Sequence, residues 1–279
     1  MRTRVAAAVL LVAAPVVVAL VVVALAGCDG SSGEERVASL PRVRVTSVPT
    51  TTAPAGVGAQ CLTPQERPNT VRFSSRNGAE LTAAVFGEGR RGIVLAHQSP
   101  GDLCDWAPYA RELAKTGYQA LSLDLNGNGG STPSRGTPSD AQFDLDVAAA
   151  VGVLRGRGVE KIVLIGASLG GAAVVKAAAE VEPPVAGVIS LSAPATTSGV
   201  DALAAARELD VPALFMAAEN DPVAAQAAEE MHDAAPKQHA RLEIYPGVSH
   251  GTALLNREVE PKAQEIRALV AQFIGDHTA

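Results

Sequence analysis

The sixteen residues Lys161–Lys176, KIVLIGASLGGAAVVK, constrain this chain more than any other stretch. Ile162–Ile165 is a short, unbroken, largely β-branched apolar run, the pattern of a strand buried on both faces. Gly166-Ala167-Ser168-Leu169-Gly170-Gly171 follows without a spacer, and the Ala-rich AAVVKAAAE behind it starts a helix. A strand that enters a helix through a tight glycine turn belongs to a parallel sheet. Such a turn lifts the Ser168 hydroxyl above the sheet's carboxyl edge, because the flanking glycines carry no Cβ to clash. The bland alternative for Ser168 is a helix N-cap. A second G-x-S-x-G, Gly247–Gly251, lacks this context: it follows the turn signal Pro246-Gly247, and only His277 lies beyond it as a histidine.

The rest of the chain repeats the strand–helix theme. Val71–Ser75 and Glu80–Phe86, joined through Asn77-Gly78, read as a hairpin. Gly92–Ala96, Tyr118–Leu123, Val185–Leu191, Pro212–Ala217 and Arg241–Ile244 read as further strands. Between them fall helical patterns at Asp105–Thr116, Asp140–Leu154 (capped by Ser139 or Asp140), Asp201–Leu209, Ala224–Asp233 and Pro261–Ile274. Alternation of this kind predicts an α/β fold, a mostly parallel central sheet with helices on both faces. Ligands of such sheets sit at the carboxyl ends of the strands.

Three chemically matched residues occupy those ends in the order Ser168, Asp221, His250. A serine hydroxyl is a weak nucleophile at its own pKa. It needs an imidazole to take its proton and a carboxylate to orient that imidazole. Asp221, in Glu219-Asn220-Asp221-Pro222, is the expected acid, with Glu219 two residues away as the alternative. His97 is expected to hold a loop, Asp124 to be structural, and His232 and His239 to lie at the surface. No H-E-x-x-H or Cys/His cluster suggests a metal, and no cofactor is expected.

With the turn at Ser168, the acid in E-N-D-P and the histidine in S-H-G, the chain resembles the α/β-hydrolase superfamily over roughly residues 71–274. Asp124–Ser131 is similar to that family's D-x-R-G-H-G-x-S loop, with Asn126 and Asn128 in place of its Arg and His. Ala96-His97-Gln98-Ser99 stands where the family has H-G-x. The resemblance implies that Ser168, His250 and Asp221 are catalytic and that the backbone N–H groups of Ser99 and Leu169 form an oxyanion hole. Dienelactone hydrolases share the chain's compact size but carry cysteine where this chain has serine. About nine residues separate Leu191 from the Asp201 helix, too few for a lipase-type lid. Trp106 and Tyr109 are expected to line one pocket wall. The implied activity is a serine carboxylesterase on small or accessible esters. An acyltransferase or thioesterase on the same triad, and a non-catalytic envelope lipoprotein, are the alternatives.

The N-terminal third adds the compartment. Arg2 and Arg4 precede an apolar run from Val5 to Ala26, a secretory pattern, and Leu25-Ala26-Gly27-Cys28 resembles the lipobox of bacterial lipoproteins. The reading is a signal peptide over 1–27, lipidation at Cys28, a Ser/Thr/Pro-rich tether over 28–60 and a domain over 61–279. An uncleaved spanning helix is the alternative, and both place the domain outside the cytoplasm, held to the membrane at its N-terminus. In that oxidising setting Cys61 and Cys104 are expected to form a disulfide, the other reading being two unpaired thiols. With net charge −6 and no basic run, nothing points to nucleic acid. The sequence assigns no oligomeric state.

Overall fold

The structure, a computed structural model, describes residues 39–279 apart from Ala55 and Ala59. The apolar run and Cys28 lie outside the described residues. Among the described residues no helix is long and apolar enough to cross a membrane.

Nine strands form the main sheet: β1 (Thr51–Thr52), β2 (Thr70–Ser74), β3 (Glu80–Phe86), β4 (Arg91–Ala96), β5 (Tyr118–Asp124), β6 (Lys161–Ala167), β7 (Gly187–Leu191), β8 (Ala213–Ala218) and β9 (Ala240–Tyr245). Their spatial order is β9-β8-β7-β6-β4-β5-β3-β2-β1. The six strands β4 to β9 run parallel, and β1, β2 and β3 extend the edge antiparallel. Leu95 pairs with Ile165 and Ala167 with Leu191, so the elbow strand is flanked on both sides.

Side chains of each central strand alternate between two cores, as the pleat requires. Ile162, Leu164, Phe215 and Ala217 meet the first core with α2 (Phe143–Gly156), α3 (Leu169–Glu180), α4 (Ala202–Arg207) and α5 (Pro222–Ala234). Val163, Ile165, Leu214 and Met216 meet the second with α1 (Ala107–Lys115) and α6 (Ala263–Thr278). Ile162–Ile165 is at most 1% exposed. Burying each of those side chains contributes about 1.5–3 kcal/mol, which is why the run is apolar at every position rather than at every second one.

Two expectations need correction. The segment 28–60 is not a free tether throughout, because the compact unit begins at Ser39. Val43–Arg44 pairs in parallel with Val181–Glu182, and Arg42 lies 3.2 Å from Asp210. Val43 and Val45 are buried, and Val48 packs over Gly152 of α2. The valines are β-branched residues spaced to pair and pack, concealed in Pro/Thr-rich surroundings. Both contacts lie just ahead of β7 and β8, so this strap runs along the amino edge of the sheet. The second correction concerns α2, which starts at Phe143 rather than Asp140. Pro138–Asp140 forms a 3₁₀ turn instead, and Gln142 enters the helix at φ +51° without a side-chain cap.

The disulfide Cys61–Cys104 is present, with Cα atoms 5.6 Å apart. Around it Gln60 Nε2 donates to Asp102 (2.9 Å), and Arg111 donates to Glu66 and to the Cys61 carbonyl. That arginine holds the Glu66 carboxyl down to about 2.

Candidate active site

Ser168 stands between β6 and α3 at φ +49°, ψ −117°. A non-glycine residue adopts such a backbone only where its surroundings enforce it. Its N–H donates to Leu191 O (2.8 Å), and its carbonyl accepts from Ala172 N–H (3.1 Å). Its side chain makes no cap bond to α3, which removes the N-cap reading. The turn can close only without side chains on its flanks. A Cβ on Gly166 would lie 2.1 Å from Gly170 O, and one on Gly170 would lie 2.4 Å from Ala96 O. Closing it sets the start of α3 against the end of β4.

Asp221 and His250 come together at the ends of β8 and β9. The loops are tied by Glu219 N–H to Tyr245 O (2.7 Å) and Asn220 N–H to Gly247 O (2.9 Å). Asp221 is the residue before α5, yet its carboxylate does not cap that helix. Asp221 Oδ2 instead accepts from His250 Nδ1–H at 2.5 Å, and the imidazole remains 45% exposed. A carboxylate can only accept here, so in the neutral imidazole Nδ1 carries the proton and Nε2 keeps the lone pair. Glu219 is exposed and makes no such contact, so the acid is paired at Asp221. The histidine loop also reaches the elbow: a Cβ on Gly251 would lie 3.3 Å from Ala167 Cβ. Ser249, from the second G-x-S-x-G, sits in the loop before a 3₁₀ turn and has ordinary backbone geometry.

Ser99 and Leu169 flank the elbow from two loops. Leu169 opens α3, and Ser99 follows β4. Neither N–H donates to a protein acceptor among the described residues. His97 is fully buried, and that burial lowers its pKa. Its Nδ1–H donates to Gln98 O (2.7 Å), and its Nε2 accepts from Leu125 N–H (3.0 Å). Both nitrogens are committed, so His97 holds a loop.

Asp124 accepts from Leu103 N–H (2.6 Å) and Gly130 N–H (2.7 Å), and burial lifts its carboxyl to about 6. Asn126, where the family pattern has Arg, donates through Nδ2 to Asp146 Oδ2 (2.7 Å) and Ala141 O (2.9 Å). His232 lies beside Asp233 (3.2 Å), and His239 immediately precedes β9, at the opposite end of that strand from the histidine loop.

A cleft of about 690 Å³ lies beside the histidine loop, walled by Trp106, Tyr109, Glu112, Thr252, Leu255 and Arg267 among others. Trp106 is a structural wall, its Nε1–H donating to Ala96 O at 2.9 Å. A two-stranded ribbon, Thr196–Thr197 with Val200–Asp201, occupies the connection from β7 to α4, and no helical insertion covers the strand ends there. Among the described residues no group of His, Cys, Asp or Glu is placed to hold a metal ion.

The family model for the alpha/beta hydrolase fold matches residues 93–207, from β4 through the elbow to α4. The chain has the α/β-hydrolase fold. Solved structures agree. An esterase of Pyrococcus furiosus superposes with a TM-score of 0.66 at 17% identity, over 81% of this chain and 100% of that one. An enol-lactonase of Burkholderia xenovorans gives 0.61 at 18%, over 73% and 99%. An esterase of Rhodococcus gives 0.56 at 18%, over 75% and 99%. No curated protein matches the sequence. On this fold, Asn126, Gln98 and Thr252 are what sequence reasoning left without a role. Their partners lie 20, 154 and 154 positions away, beyond any local pattern.

Proposed function

We propose that the protein is a serine carboxylesterase acting on small or accessible esters through an acyl-enzyme. The observation that carries this is the His250–Asp221 pair, held at 2.5 Å on a loop packed against the strained Ser168 elbow. In the first half-reaction Ser168 Oγ attacks the ester carbonyl carbon while His250 Nε2 takes the hydroxyl proton. The carbonyl π electrons move to oxygen, where the Ser99 and Leu169 N–H groups stabilise the negative charge. Collapse re-forms the carbonyl and expels the alkoxide, which leaves as the alcohol with the proton from His250. Water repeats the sequence on the acyl-enzyme and releases the acid. Asp221 keeps the Nδ1–H tautomer and stabilises the imidazolium in both halves.

The short, uninserted β7–α4 connection favours esters that reach the strand ends without a lid moving. We further propose that the protein is exported and lipid-anchored at Cys28. The strap runs along the amino edge of the sheet. The test is a series of nitrophenyl esters of increasing acyl length with wild type and Ser168→Ala. The reading expects highest kcat/KM on short chains, no jump in rate at the critical micelle concentration, and no hydrolysis above background by the variant. Wild-type rates from Ser168→Ala would overturn it.

A further inference from the structure

The site contains a cross-link that the triad does not use. Gln98, the second residue past β4, reaches 154 positions along the chain to the histidine loop. Its Oε1 accepts from Thr252 N–H (3.0 Å) and from Thr252 Oγ1 (3.2 Å). A backbone N–H can only donate, so the side-chain oxygen is the atom that faces Thr252. Between Thr252 and His250 stands Gly251, at φ +58°. A Cβ there would lie 2.2 Å from Gln98 Oε1, so the glutamine occupies the space that any other residue would fill.

The main chain of Gln98 is fixed as well. Its carbonyl accepts from His97 Nδ1–H, and His97 is itself anchored by Leu125 N–H. The Gln98–Ser99 peptide is trans, the cis bonds being Ser99–Pro100 and Glu182–Pro183. In a trans peptide the C=O and the following N–H point in opposite directions. The bond that pins Gln98 O therefore also aims the Ser99 N–H. One residue thus fixes the direction of an oxyanion donor through its backbone, and holds the loop of the general base through its side chain.

We propose that Gln98 is a positioning residue that sets the spacing between the Ser99 N–H and His250. The inference rests on the esterase reading above and goes beyond it. Its consequence is a defect confined to turnover. Loss of the acceptor lets the histidine loop drift from the oxyanion loop, which disturbs transition-state geometry, while the cleft keeps its wall of Trp106, Tyr109, Glu112 and Arg267 and only Thr252 is released.

The experiment compares wild type, Gln98→Met, Gln98→Glu and Ser168→Ala in the full chain, with thermal unfolding run on each. Gln98→Met keeps the length and removes the acceptor. It should lower kcat by up to about 10²-fold, the cost of a misplacement on the order of 1 Å, with KM within about threefold of wild type. Gln98→Glu restores two acceptor oxygens for Thr252 and should recover most of that kcat. A folded Gln98→Met with kcat within twofold of wild type would overturn the inference. So would a folded Gln98→Glu as impaired as Gln98→Met. Activity surviving in Ser168→Ala would instead overturn the esterase mechanism, so the two failures are told apart.

Discussion

Reducing the Cys61–Cys104 bridge should cost a calculable part of the stability. The cysteines are 43 positions apart, so the bridge closes a loop of about 44 residues in the unfolded chain. Chain-entropy arithmetic for that length gives about −13 cal/mol/K, or about 4 kcal/mol at 25 °C. The native ends stay near one another without the bond. Leu62 is buried, Gln60 bonds Asp102, and Glu66 is paired with Arg111. The loss therefore falls on the unfolded state, whose freedom increases. In a folded unit of this size each kcal/mol moves Tm by about 2–4 °C, so the expected fall is about 8–16 °C. Scanning calorimetry of oxidised and reduced wild type, with Cys61→Ser/Cys104→Ser as the control, measures it. The double variant should melt with the reduced protein and ignore reductant. A shift below about 2 °C, or a reductant effect on the double variant, would refute the entropic reasoning.

Asp221→Asn should lower kcat by about 10⁴, because an amide no longer holds the Nδ1–H tautomer of His250, whereas Glu219→Gln should change it little. Steady-state kinetics of the two variants decides this, and equal losses would move the acid to Glu219. Glu66→Gln should destabilise by about 1–2 kcal/mol at pH 7, the Arg111 pairing being discounted for its partial exposure. Because the folded Glu66 carboxyl sits at about 2 and the free group at 4.5, that advantage is complete above pH 4.5 and disappears as pH falls toward 2. Urea unfolding of wild type and variant across that range should show the gap closing, and a gap independent of pH would contradict it. Gly166→Ala should abolish activity, since its Cβ would lie 2.1 Å from Gly170 O and the elbow would have to open. A crystal structure showing Ser168 still near φ +49° would contradict that cause.

The elbow was legible because everything that makes it is local: an apolar strand, two obligatory glycines and an Ala-rich helix within sixteen residues. Asp221 and His250 were legible as strand-end residues, and the bond between them needed only the neighbouring order of β8 and β9. What escaped depends on distant partners. Val43 pairs with Val181, across most of the described chain, so a strand two residues long left no periodicity to read. The early start assigned to α2 failed because Pro138 and Ser139 suit a 3₁₀ turn as well as a helix entry, and the choice was made by Gln142. Gln98 looked like a departure from a glycine position. Its purpose became visible only when Thr252 was found at its tip, with Gly251 making the room.

The central claim is that Ser168 is an activated nucleophile, and its most direct measurement is covalent capture. The folded protein is treated with a fluorophosphonate, and the adduct is mapped by peptide mass. The mechanism requires one adduct, on Ser168, absent from Ser168→Ala, unchanged in Ser249→Ala, and formed far more slowly in His250→Ala. An adduct on Ser249, or none on any serine of the folded wild type, would contradict it.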